Sequence, residues 1–466
     1  MKQSRTLLER FLGLFADVHA GEGTTAVLLM LNLLVLLTAY LIVKTVREAL
    51  ILSGGGAEVK SYAAAGQALL LLLLVPWYGS IASKVNRIKL INRVTLFFLS
   101  HLVIFYLLAQ LHVNLGVAFF LWVGVFNLLV IAQFWAFAND LYTTEQGERL
   151  FAIVAFGGSL GAILGPAVAG WLFAALGAYR LMLVSAALLA VCIVVTNVIN
   201  RREIRARPPD PATAVAEAPL GKSGGFGLVM GHRYLLLIAL LMVVLNLVNT
   251  TGEFVLGKTV AKTAHRAVDT EVQRPTTDND KNKLTIAQRE KAVQNFIGHF
   301  YADFFFWVSV ASAAAQLFLV SRIFKYVGVS GSLFFLPLIS LCSYSLIAFF
   351  PILGYIRLAK IAENSTDYSL QNTARQALFL PTSRETKYKA KAAIDTFFVR
   401  MGDVLSAGIV FVGTRWLLEA NDFARINIGL VAVWLLLVAF IARHYSKLAA
   451  TCTSFYQQGA ERRQAG

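Results

Sequence analysis

The sequence predicts an all-α membrane protein of about twelve transmembrane helices, arranged in two halves of six. Of its 466 residues, 57% are hydrophobic, and the mean hydropathy is +0.65. Both values lie outside the range of ordinary soluble domains. Charged residues make up only 15% and lie between apolar runs that recur along the whole chain. Two groups of six such runs flank a polar connector, which is the plan of membrane folds built from internal repeats.

The charge and the cysteine content exclude several classes of protein. A formal net charge of +16 is typical of a membrane protein whose cytoplasmic loops are rich in Lys and Arg, with an anionic substrate or anionic lipid as further explanations. The three cysteines, Cys192, Cys342 and Cys452, form neither a disulfide framework nor a metal-binding spacing. We therefore expect no cofactor, no metal and no nucleic-acid partner.

Residues 1–23 form the first predicted element. The segment is basic and amphipathic, and it lacks the small-residue cleavage site of a signal peptide. This pattern predicts a segment that lies along the cytoplasmic surface of the membrane, with Phe11, Leu14 and Phe15 against lipid.

The N-terminal six-helix bundle is predicted over residues 24–200. A transmembrane helix needs about 20 consecutive apolar residues. The runs of this kind lie near 24–53, 61–82, 94–111, 115–139, 151–176 and 181–200. The first run ends at Gly54-Gly55-Gly56, because residues that tolerate a positive φ end helices cleanly.

A cytoplasmic linker is predicted at 201–233, where the chain is basic, rich in Pro, Ala and Gly, and without an apolar helical stripe. The C-terminal six-helix bundle follows over 234–446, and a cytoplasmic tail over 447–466. The spans of this second bundle lie near 234–257, 297–321, 330–350, 352–381, 391–414 and 425–445.

Loop charge predicts the orientation of the chain. Basic residues cluster in 84–93, 201–207 and 384–391, which all fall on one side of the predicted membrane. The positive-inside rule then places both termini in the cytoplasm. Residues 258–296 break this bias, because they are polar, mixed in charge and predicted to be external. Their RPTTDNDKNK core is predicted to be disordered and their LTIAQREKAVQNF end to be helical. We interpret the segment as an insertion, with an external lid as the alternative.

Charged residues inside the first span are costly in lipid and must face protein or water. The stretch YLIVKTVREALIL places Lys44, Arg47 and Glu48 before a further apolar turn. Lys44 and Glu48 lie four residues apart, so they could pair and extend to the outer surface. This pair would leave Arg47 without an acidic partner in the helix. We therefore predict that Arg47, with Lys44 beside it, contacts a substrate.

The tenth span has the longest polar stripe. Its polar residues recur at three- and four-residue steps, so they share one face of a helix. They are Arg357, Lys360, Asn364, Asp367, Tyr368, Gln371 and Arg375. A stripe of this length cannot face acyl chains, so it lines either an aqueous cavity or a buried helix contact. Because the stripe contains long cationic side chains, we favour the cavity and interpret these residues as substrate-binding.

Polar residues in other spans are candidates for binding, gating or ion coupling. Asp140 lies at the cytoplasmic end of the fourth span, where capping of the next helical segment is an equal alternative. The seventh span has Asn249 and Glu253 inside an apolar run, and the eighth has Asp303. We interpret Asn249 as substrate-binding and the three acids as gating or coupling residues.

The eleventh and fifth spans contain residues that we interpret mainly as structural. Asp395, Arg400 and Asp403 can pair among themselves in the eleventh span. In the fifth span, the pattern G-x-x-x-G-P-x-x-x-G lets two helices approach closely and permits a bend at its proline. Its members are Gly161, Gly165, Pro166 and Gly170. They predict tight packing and, as a sharper alternative, a hinge.

Two segments resemble motifs of the major facilitator superfamily. The loop Gly79-Ser-Ile-Ala-Ser-Lys-Val-Asn-Arg87 is similar to its gating motif, with Ser83 at the position of the usual Asp. The glycine pattern of the fifth span resembles the motif of its antiporters. Longer stretches in both halves resemble the nucleotide transporter family of ATP/ADP translocases found in plastids and intracellular bacteria. They are YLIVKTVREALIL, QFWAFANDLYTTEQGERLF, LNLVNTTGEF and DYSLQNTARQALFLPTSRETKYKAKAAIDTFFVRMGD.

This resemblance implies roles for four positions and a major facilitator-like fold. The family relies on a lysine in the first span, acids in the fourth and seventh, and a lysine in the tenth. By motif position, Arg47 and Arg375 replace the two lysines, Asp140 keeps the fourth-span acid, and Asn249 replaces the seventh-span acid. Guanidinium forks bind phosphate or carboxylate oxygens, so these changes fit an anionic substrate. The lost acid implies a more positive site.

These observations predict a secondary active transporter that moves an anionic metabolite, with a nucleotide as the leading candidate, by alternating access of two halves. Tyr368 would stack on the base or sugar. No phosphate-binding loop of the G-x-x-x-x-G-K-[ST] type occurs, so we expect no ATP hydrolysis. No catalytic triad or set of metal ligands is visible either, so we expect no enzyme activity. We interpret the protein as a monomer of a bacterial inner membrane. The alternatives are a proton-coupled exporter of organic anions or drugs, and a non-transporting membrane scaffold or sensor.

Overall fold

The fold was analysed in a computed structural model. It describes residues 6–13, 17–82, 87–111, 113–142, 144–206, 225–272, 286–379, 382, 386 and 390–464. Every regular element within these ranges is a helix, which confirms the predicted all-α class. By their contacts, the residues form two compact units. The first comprises 1–60, 73–216 and 261–309, and the second comprises 61–72, 217–260 and 310–466. The predicted boundaries of the two halves, 24–200 and 234–446, remain a prediction.

Six helices lie in the described residues of the N-terminal part of the chain. They are α1 (Leu7–Leu12), α2 (Gly23–Gly54), α3 (Gly56–Ala82), α4 (Arg87–Gln110), α5 (Gly116–Leu141) and α6 (Thr144–Ala206). In α6 the backbone turns at Gly177, which has φ 71°. Because only glycine adopts such a φ at little cost, this residue divides α6 into the predicted fifth and sixth spans.

Ten helices follow the linker in the ranges that the structure describes. They are α7 (Gly225–Gly231), α8 (Arg233–Val272), α9 (Ile286–Phe318), α10 (Val320–Ser332), α11 (Phe335–Phe349), α12 (Leu353–Thr366), α13 (Asn372–Ala377), α14 (Lys391–Ala393), α15 (Val399–Arg415) and α16 (Ala420–Gln464). A π-helical turn at Asp367–Gln371 joins α12 to α13, and a second at Ile394–Phe398 joins α14 to α15. Such turns insert an extra residue into a helix and are frequent at functional sites.

The number of membrane spans follows from these helices. Within the described ranges, nine helices are long and apolar enough to cross a membrane, and the pair α10 and α11, bent by 78°, makes a tenth. One of the nine, Arg149–Glu203, has 55 residues and turns at Gly177, so it is long enough for two crossings. The predicted tenth span is helical from Leu353 to Ala377, although its polar stripe makes it less apolar than the others. Together these helices account for about twelve spans.

The glycine pattern of the fifth span lies where α6 packs on α2. A Cβ atom at Gly161 would collide with the carbonyl oxygen of Leu34, and one at Gly165 would lie 2.9 Å from that of Thr38. Pro166 lies inside α6, one turn before Gly170, where a Cβ would approach Ala302 to 3.3 Å. The small residues therefore let the two helix backbones approach closely, which confirms tight packing. The hinge remains a prediction.

The predicted external segment 258–296 is more helical than the sequence indicates. Helix α8 continues to Val272, and α9 begins at Ile286, so the helix of the seventh span extends beyond the predicted boundary at 257. Val260, Ala264 and Val268 are buried at four-residue steps, and this apolar stripe continues the helix beyond the span. The helical prediction is confirmed for 286–296, whereas the RPTTDNDKNK core lies outside the described residues.

The N-terminal segment contains one short helix. Thr6 and Glu9 form a reciprocal capping box at the start of α1, in which each side chain bonds the other residue's backbone N–H. Leu12 and Val18 are buried, and Phe11 is exposed; its predicted contact with lipid remains a prediction. The other two predicted lipid contacts, Leu14 and Phe15, lie outside the described residues.

Candidate functional site

A buried cluster of charge lies near the end of the first span. Glu48 is 1% exposed, and one of its carboxylate oxygens accepts hydrogen bonds from the guanidinium group of Arg47. The other oxygen lies 2.7 Å from Nζ of Lys60. The prediction that Arg47 has no ion-pair partner in the first span is therefore wrong. Arg47 pairs with Glu48 and shares this carboxylate with a lysine that the sequence pattern did not indicate.

The turn between α2 and α3 brings Lys60 to this place. Helix α2 ends at Gly54, and Gly56 has φ 73°, a left-handed conformation that favours glycine. The chain therefore redirects within two residues, and the second turn of α3 returns Lys60 to Glu48. The signal in the sequence was the Gly54-Gly55-Gly56 break, but its angle is not encoded in the apolar pattern.

Aromatic faces flank the cations of the first-span cluster. The guanidinium carbon of Arg47 lies 4.6 Å from the ring centroid of Phe120, and Nζ of Lys60 lies 5.4 Å from that of Tyr301. Lys44, one turn before Glu48, places its Nζ 4.3 Å from the ring centroid of Phe305. Ring faces attract cations electrostatically, so each ammonium or guanidinium group has a fixed position.

A second buried cluster is centred on Lys360 of the tenth span. This lysine is fully buried, and its Nζ lies 2.9 Å from Asn249 Oδ1 and 3.1 Å from Glu363 Oε2. The hydroxyl of Tyr344 donates to Glu363 at 3.1 Å. The sequence analysis named Lys360 and Asn249 but missed Glu363, which lies on the same helix one turn after Lys360, and Tyr344, which α11 contributes.

Glu253 extends this cluster toward a more accessible surface. Its carboxylate is 22% exposed, lies 3.6 Å from Nζ of Lys360 and accepts a hydrogen bond of 3.0 Å from Asn364. A Cβ at Gly252 would lie 3.1 Å from Nζ of Lys360, so glycine leaves space for the lysine. Although Asn249 is neutral, Glu253 and Glu363 provide carboxylates near Lys360. Two carboxylates therefore balance the charge of Lys360, and the more positive site implied by the lost acid remains a prediction.

The remaining stripe residues of the tenth span divide between buried and exposed positions. Gln371 is buried, and within the described residues neither atom of its amide group has a hydrogen-bond partner. Arg375 is partly buried and donates from Nη2 to Asn372 at 3.0 Å. Tyr368 is 49% exposed. Arg357 and Asp367 are partly buried.

The polar stripe of the tenth span therefore has both a buried part, which forms a helix contact, and an exposed part. Lys360 and Asn364 make a buried helix contact with α8, whereas Tyr368 presents its ring outward. Helix α12 and the π-turn position all these side chains on one continuous helical segment. Their role in substrate binding remains a prediction.

The fourth-span and eighth-span acids lie on exposed surfaces. Asp140 forms a salt bridge of 2.9 Å with Arg87, and both side chains are about half exposed. Arg87 is the last residue of the loop that resembles the gating motif, and residues 83–86 of that loop lie outside the described residues. Asp303 is exposed on α9. Whether Asp140 acts as a gate or as a helix cap remains a prediction.

The pair predicted in the eleventh span is confirmed. Nη1 of Arg400 lies 3.1 Å from Asp403 Oδ2, and Asp403 Oδ1 accepts hydrogen bonds from Asn246 and Thr250 of α8. This network ties α15 to α8, in agreement with a structural role. Asp395 is partly buried, and its Oδ1 has no hydrogen-bond partner among the described residues.

A further acidic residue, missed by the sequence analysis, connects the start of α2 to α6. Arg149 donates to both carboxylate oxygens of Glu22 at 3.1 Å, and Gln146 donates to Oε1 at 3.0 Å. Burial alone would raise the pKa of Glu22, but these hydrogen bonds and the charge of Arg149 lower it to about 2. The pair of Arg149 and Glu22 therefore joins the N-terminal end of the first span to the start of the fifth span.

Within the described ranges, no three His, Cys, Asp or Glu side chains are grouped so that they could hold a metal ion. The charged clusters are built from cation–carboxylate pairs instead. The chemistry that these groups can perform is the binding and release of an anion or a proton.

Comparisons with solved structures support the fold. The chain resembles the nucleoside transporter NupG, with a TM-score of 0.61 and 10% identity over 91% of this chain and 98% of that chain. It also resembles a bacterial homologue of the iron transporter ferroportin in its inward-facing state, with a TM-score of 0.56 and 13% identity over 91% and 98% of the two chains. These likenesses confirm the predicted major facilitator-like fold.

Curated relatives are bacterial carriers. ADP,ATP carrier protein 1 of Chlamydia trachomatis serovar D is 24% identical over 325 residues, which are 59% of this chain and 54% of the relative. ADP,ATP carrier protein 5 of Rickettsia felis is 25% identical over 360 residues, which are 71% and 69% of the two chains. The chain thus spans little more than half of the chlamydial relative.

The family comparison covers most of the chain. A family described as TLC ATP/ADP transporter matches residues 117–445, from the start of the fourth span to the end of the twelfth. The match includes Asp140, the Lys360 cluster and Arg375. The protein is therefore an integral membrane protein that belongs to the TLC ATP/ADP transporter family.

Proposed function

We propose that the protein is a secondary transporter that exchanges nucleotides of the ATP and ADP type across a membrane. The observation that supports this most directly is the pair of cations, partly buried Arg47 and buried Lys60, on one buried carboxylate of the first span. Buried charge in a membrane helix is costly and usually has a function. The membership of the chain in the ATP/ADP transporter family points to a phosphorylated ligand for these cations.

The proposed binding roles follow from the chemistry of each side chain. Arg47 and Arg375 hold phosphate oxygens, because planar guanidinium forks bind them bidentately. Tyr368, which is 49% exposed, stacks on the base or sugar. Asp140 and Arg87 form a gate that opens when their exposed salt bridge breaks. An exposed pair of this kind contributes only about 0–1 kcal/mol, so it can open readily.

The proposed transport is tested with purified protein in liposomes. Labelled ATP is supplied outside, and the vesicles contain ADP, another nucleotide or no counter-substrate. We expect saturable uptake that internal ADP stimulates. Arg47→Ala and Arg375→Ala should each reduce it at least about tenfold, since one charge-assisted hydrogen bond contributes about 1.5–3 kcal/mol. Arg425→Ala is the matched control, because Arg425 is 65% exposed and pairs with Asp422 on α16.

Two results would contradict this proposal. If wild-type protein shows no saturable flux of any nucleotide and transports another solute, the proposed substrate is wrong. If Arg47→Ala and Arg375→Ala transport as fast as Arg425→Ala, the substrate is nucleotide but the assigned binding residues are wrong.

We further propose that the protein acts as a monomer in a bacterial inner membrane, with both termini in the cytoplasm. The bacterial relatives and the basic segments 84–93 and 201–207 support this arrangement. Cysteine labelling from the outside of right-side-out vesicles tests the orientation, with single cysteines placed in 201–233 and in 273–285. We expect the first to be protected and the second to react.

A second candidate function is proton-coupled transport of an organic anion. The contact of Lys360 with both Glu363 and Glu253 supports it, because protonation of one carboxylate would change the partner of the buried lysine. Asp303 and Asp367 are further acids that could bind the proton. A pH-sensitive dye inside the vesicles separates the two functions. Substrate-dependent acidification indicates proton coupling, and a constant internal pH during flux indicates exchange.

A further inference from the structure

Glu48 holds two cations of the first span at the same time. One oxygen accepts from Arg47, and the other lies 2.7 Å from Nζ of Lys60. The carboxylate is 1% exposed, so its charge depends on these contacts rather than on water. Two anionic oxygens on one central atom, each facing a cation, are also what a phosphate group would offer to the same two residues.

The cations are positioned by groups other than the carboxylate. Arg47 lies over the ring of Phe120 and Lys60 over the ring of Tyr301. These aromatic faces attract the cations independently of the carboxylate. The helix turn at Gly56 fixes the approach of α3 to α2, so Lys60 also stays near its present position. The anionic partner is therefore the part of the cluster that can be exchanged.

We propose that Glu48 is a positioning residue that competes with the phosphate groups of the substrate for Arg47 and Lys60. It neutralises the cations while no substrate is bound, and it is displaced when a phosphate takes its place. This inference rests on the proposed function, since it requires a phosphorylated substrate. This competition reduces the affinity for the substrate by the free energy of the Arg47–Glu48 contact. The weaker binding keeps release of the substrate fast.

Binding of inorganic pyrophosphate tests the competition directly. The probe is titrated into detergent-purified full-length protein, and the rise in melting temperature gives its apparent Kd. Glu48→Gln keeps the size of the side chain and removes its charge, and Glu48→Asp keeps the charge but shortens the reach. We expect affinity to increase from wild type to Asp to Gln, by about tenfold in total, because a charged hydrogen bond no longer competes.

Nucleotide exchange in liposomes provides the second readout. In Glu48→Gln, KM for the nucleotide should decrease and the maximal rate should also decrease, because release becomes slower. A residue that only holds helices together would raise KM or leave it unchanged. Asp403→Asn is the matched control, since Asp403 is another buried carboxylate that pairs with an arginine, Arg400, at 3.1 Å. This control should not change the affinity for pyrophosphate.

Three outcomes would overturn the inference. They are a Glu48→Gln protein that binds pyrophosphate no more tightly than wild type, an affinity gain equal to that of Asp403→Asn, and no pyrophosphate binding by any variant. If Glu48→Gln does not fold, Glu48→Asp decides the question by the same comparison with wild type. Because the titration needs no transport, a failure of nucleotide exchange in the wild type would count against the proposed function alone.

Discussion

Lys360→Met should destabilise the protein strongly. The ammonium group is fully buried and lies 2.9 Å from Asn249 Oδ1, 3.1 Å from Glu363 Oε2 and 3.6 Å from Glu253 Oε1. Methionine keeps the volume but removes the charge. When one partner of a buried ion pair is removed, the other stays uncompensated in a medium of low dielectric, at a cost of about 3–5 kcal/mol.

A second substitution separates the lost ion pair from lost packing. After Lys360→Met, the partners of Glu363 among the described residues are two hydroxyl groups, those of Tyr344 at 3.1 Å and Ser340 at 3.4 Å. Glu363→Gln removes that remaining charge. The double variant should therefore be about 2–3 kcal/mol less destabilised than the sum of the two single variants, because Lys360 and Glu363 no longer leave each other uncompensated. Glu253, which is 22% exposed, keeps its charge in all these variants.

The unfolding free energy can be measured by titrating a denaturing detergent into mixed micelles and following near-UV circular dichroism. Lys258→Met is the matched control. Lys258 donates to the carbonyl oxygen of Leu418 at 2.9 Å, and the loss of this hydrogen bond should cost only about 1–2 kcal/mol. Effects of Lys360→Met and Glu363→Gln that add within about 0.5 kcal/mol would refute the reasoning.

Three further predictions concern helix packing and two ion pairs. Gly161→Leu should lower the unfolding free energy by about 1–3 kcal/mol or more, since a Cβ there meets the Leu34 carbonyl, whereas Gly429→Leu, where space is open, should not. The pKa of Glu22 is lowered from 4.5 to about 2, so the stabilisation of the folded state by this carboxylate is complete above pH 4.5 and is lost as the pH falls toward 2. The melting temperature of Glu22→Gln should lack this pH-dependent decrease. Arg87→Asp should alter transport with a stability change below about 1 kcal/mol, and Asp140→Arg in the same chain should restore transport.

Each of these predictions has a result that would contradict it. Equal melting temperatures of Gly161→Leu and Gly429→Leu would show that the helix backbones do not need to approach closely at this point. A wild-type pH profile identical to that of Glu22→Gln would show that Arg149 does not stabilise the folded state through this carboxylate. If the charge-reversed pair at 87 and 140 stays as impaired as the single variant, the salt bridge is not the gate.

The sequence predicts the number and type of elements well, because the signal is local. A run of about 20 apolar residues identifies a span wherever it occurs. The polar stripe of the tenth span follows from helical periodicity alone. The glycines at 161 and 165 predict close packing without a partner being known, and the structure identifies that partner as α2.

The partners of charged residues were predicted less well. A pair between Lys44 and Glu48 was the obvious choice within one helix, since the two residues lie four positions apart. The structure instead pairs Glu48 with its neighbour Arg47 and with Lys60 of the next helix. Glu363 was missed because the sequence gives no sign that Tyr344, nineteen residues before it, donates to its carboxylate.

The sequence by itself determined an all-α membrane protein of about twelve spans and the residues that carry charge into it, since hydropathy and helical periodicity depend on near neighbours. Only the tertiary structure decided how those charges are compensated, with Lys60 on Glu48 and two carboxylates on Lys360. The physical reason is that electrostatic energy in a medium of low dielectric depends on distances of 3–4 Å between helices. Those distances are set by packing and by the angle of turns such as Gly56, which the apolar pattern does not contain.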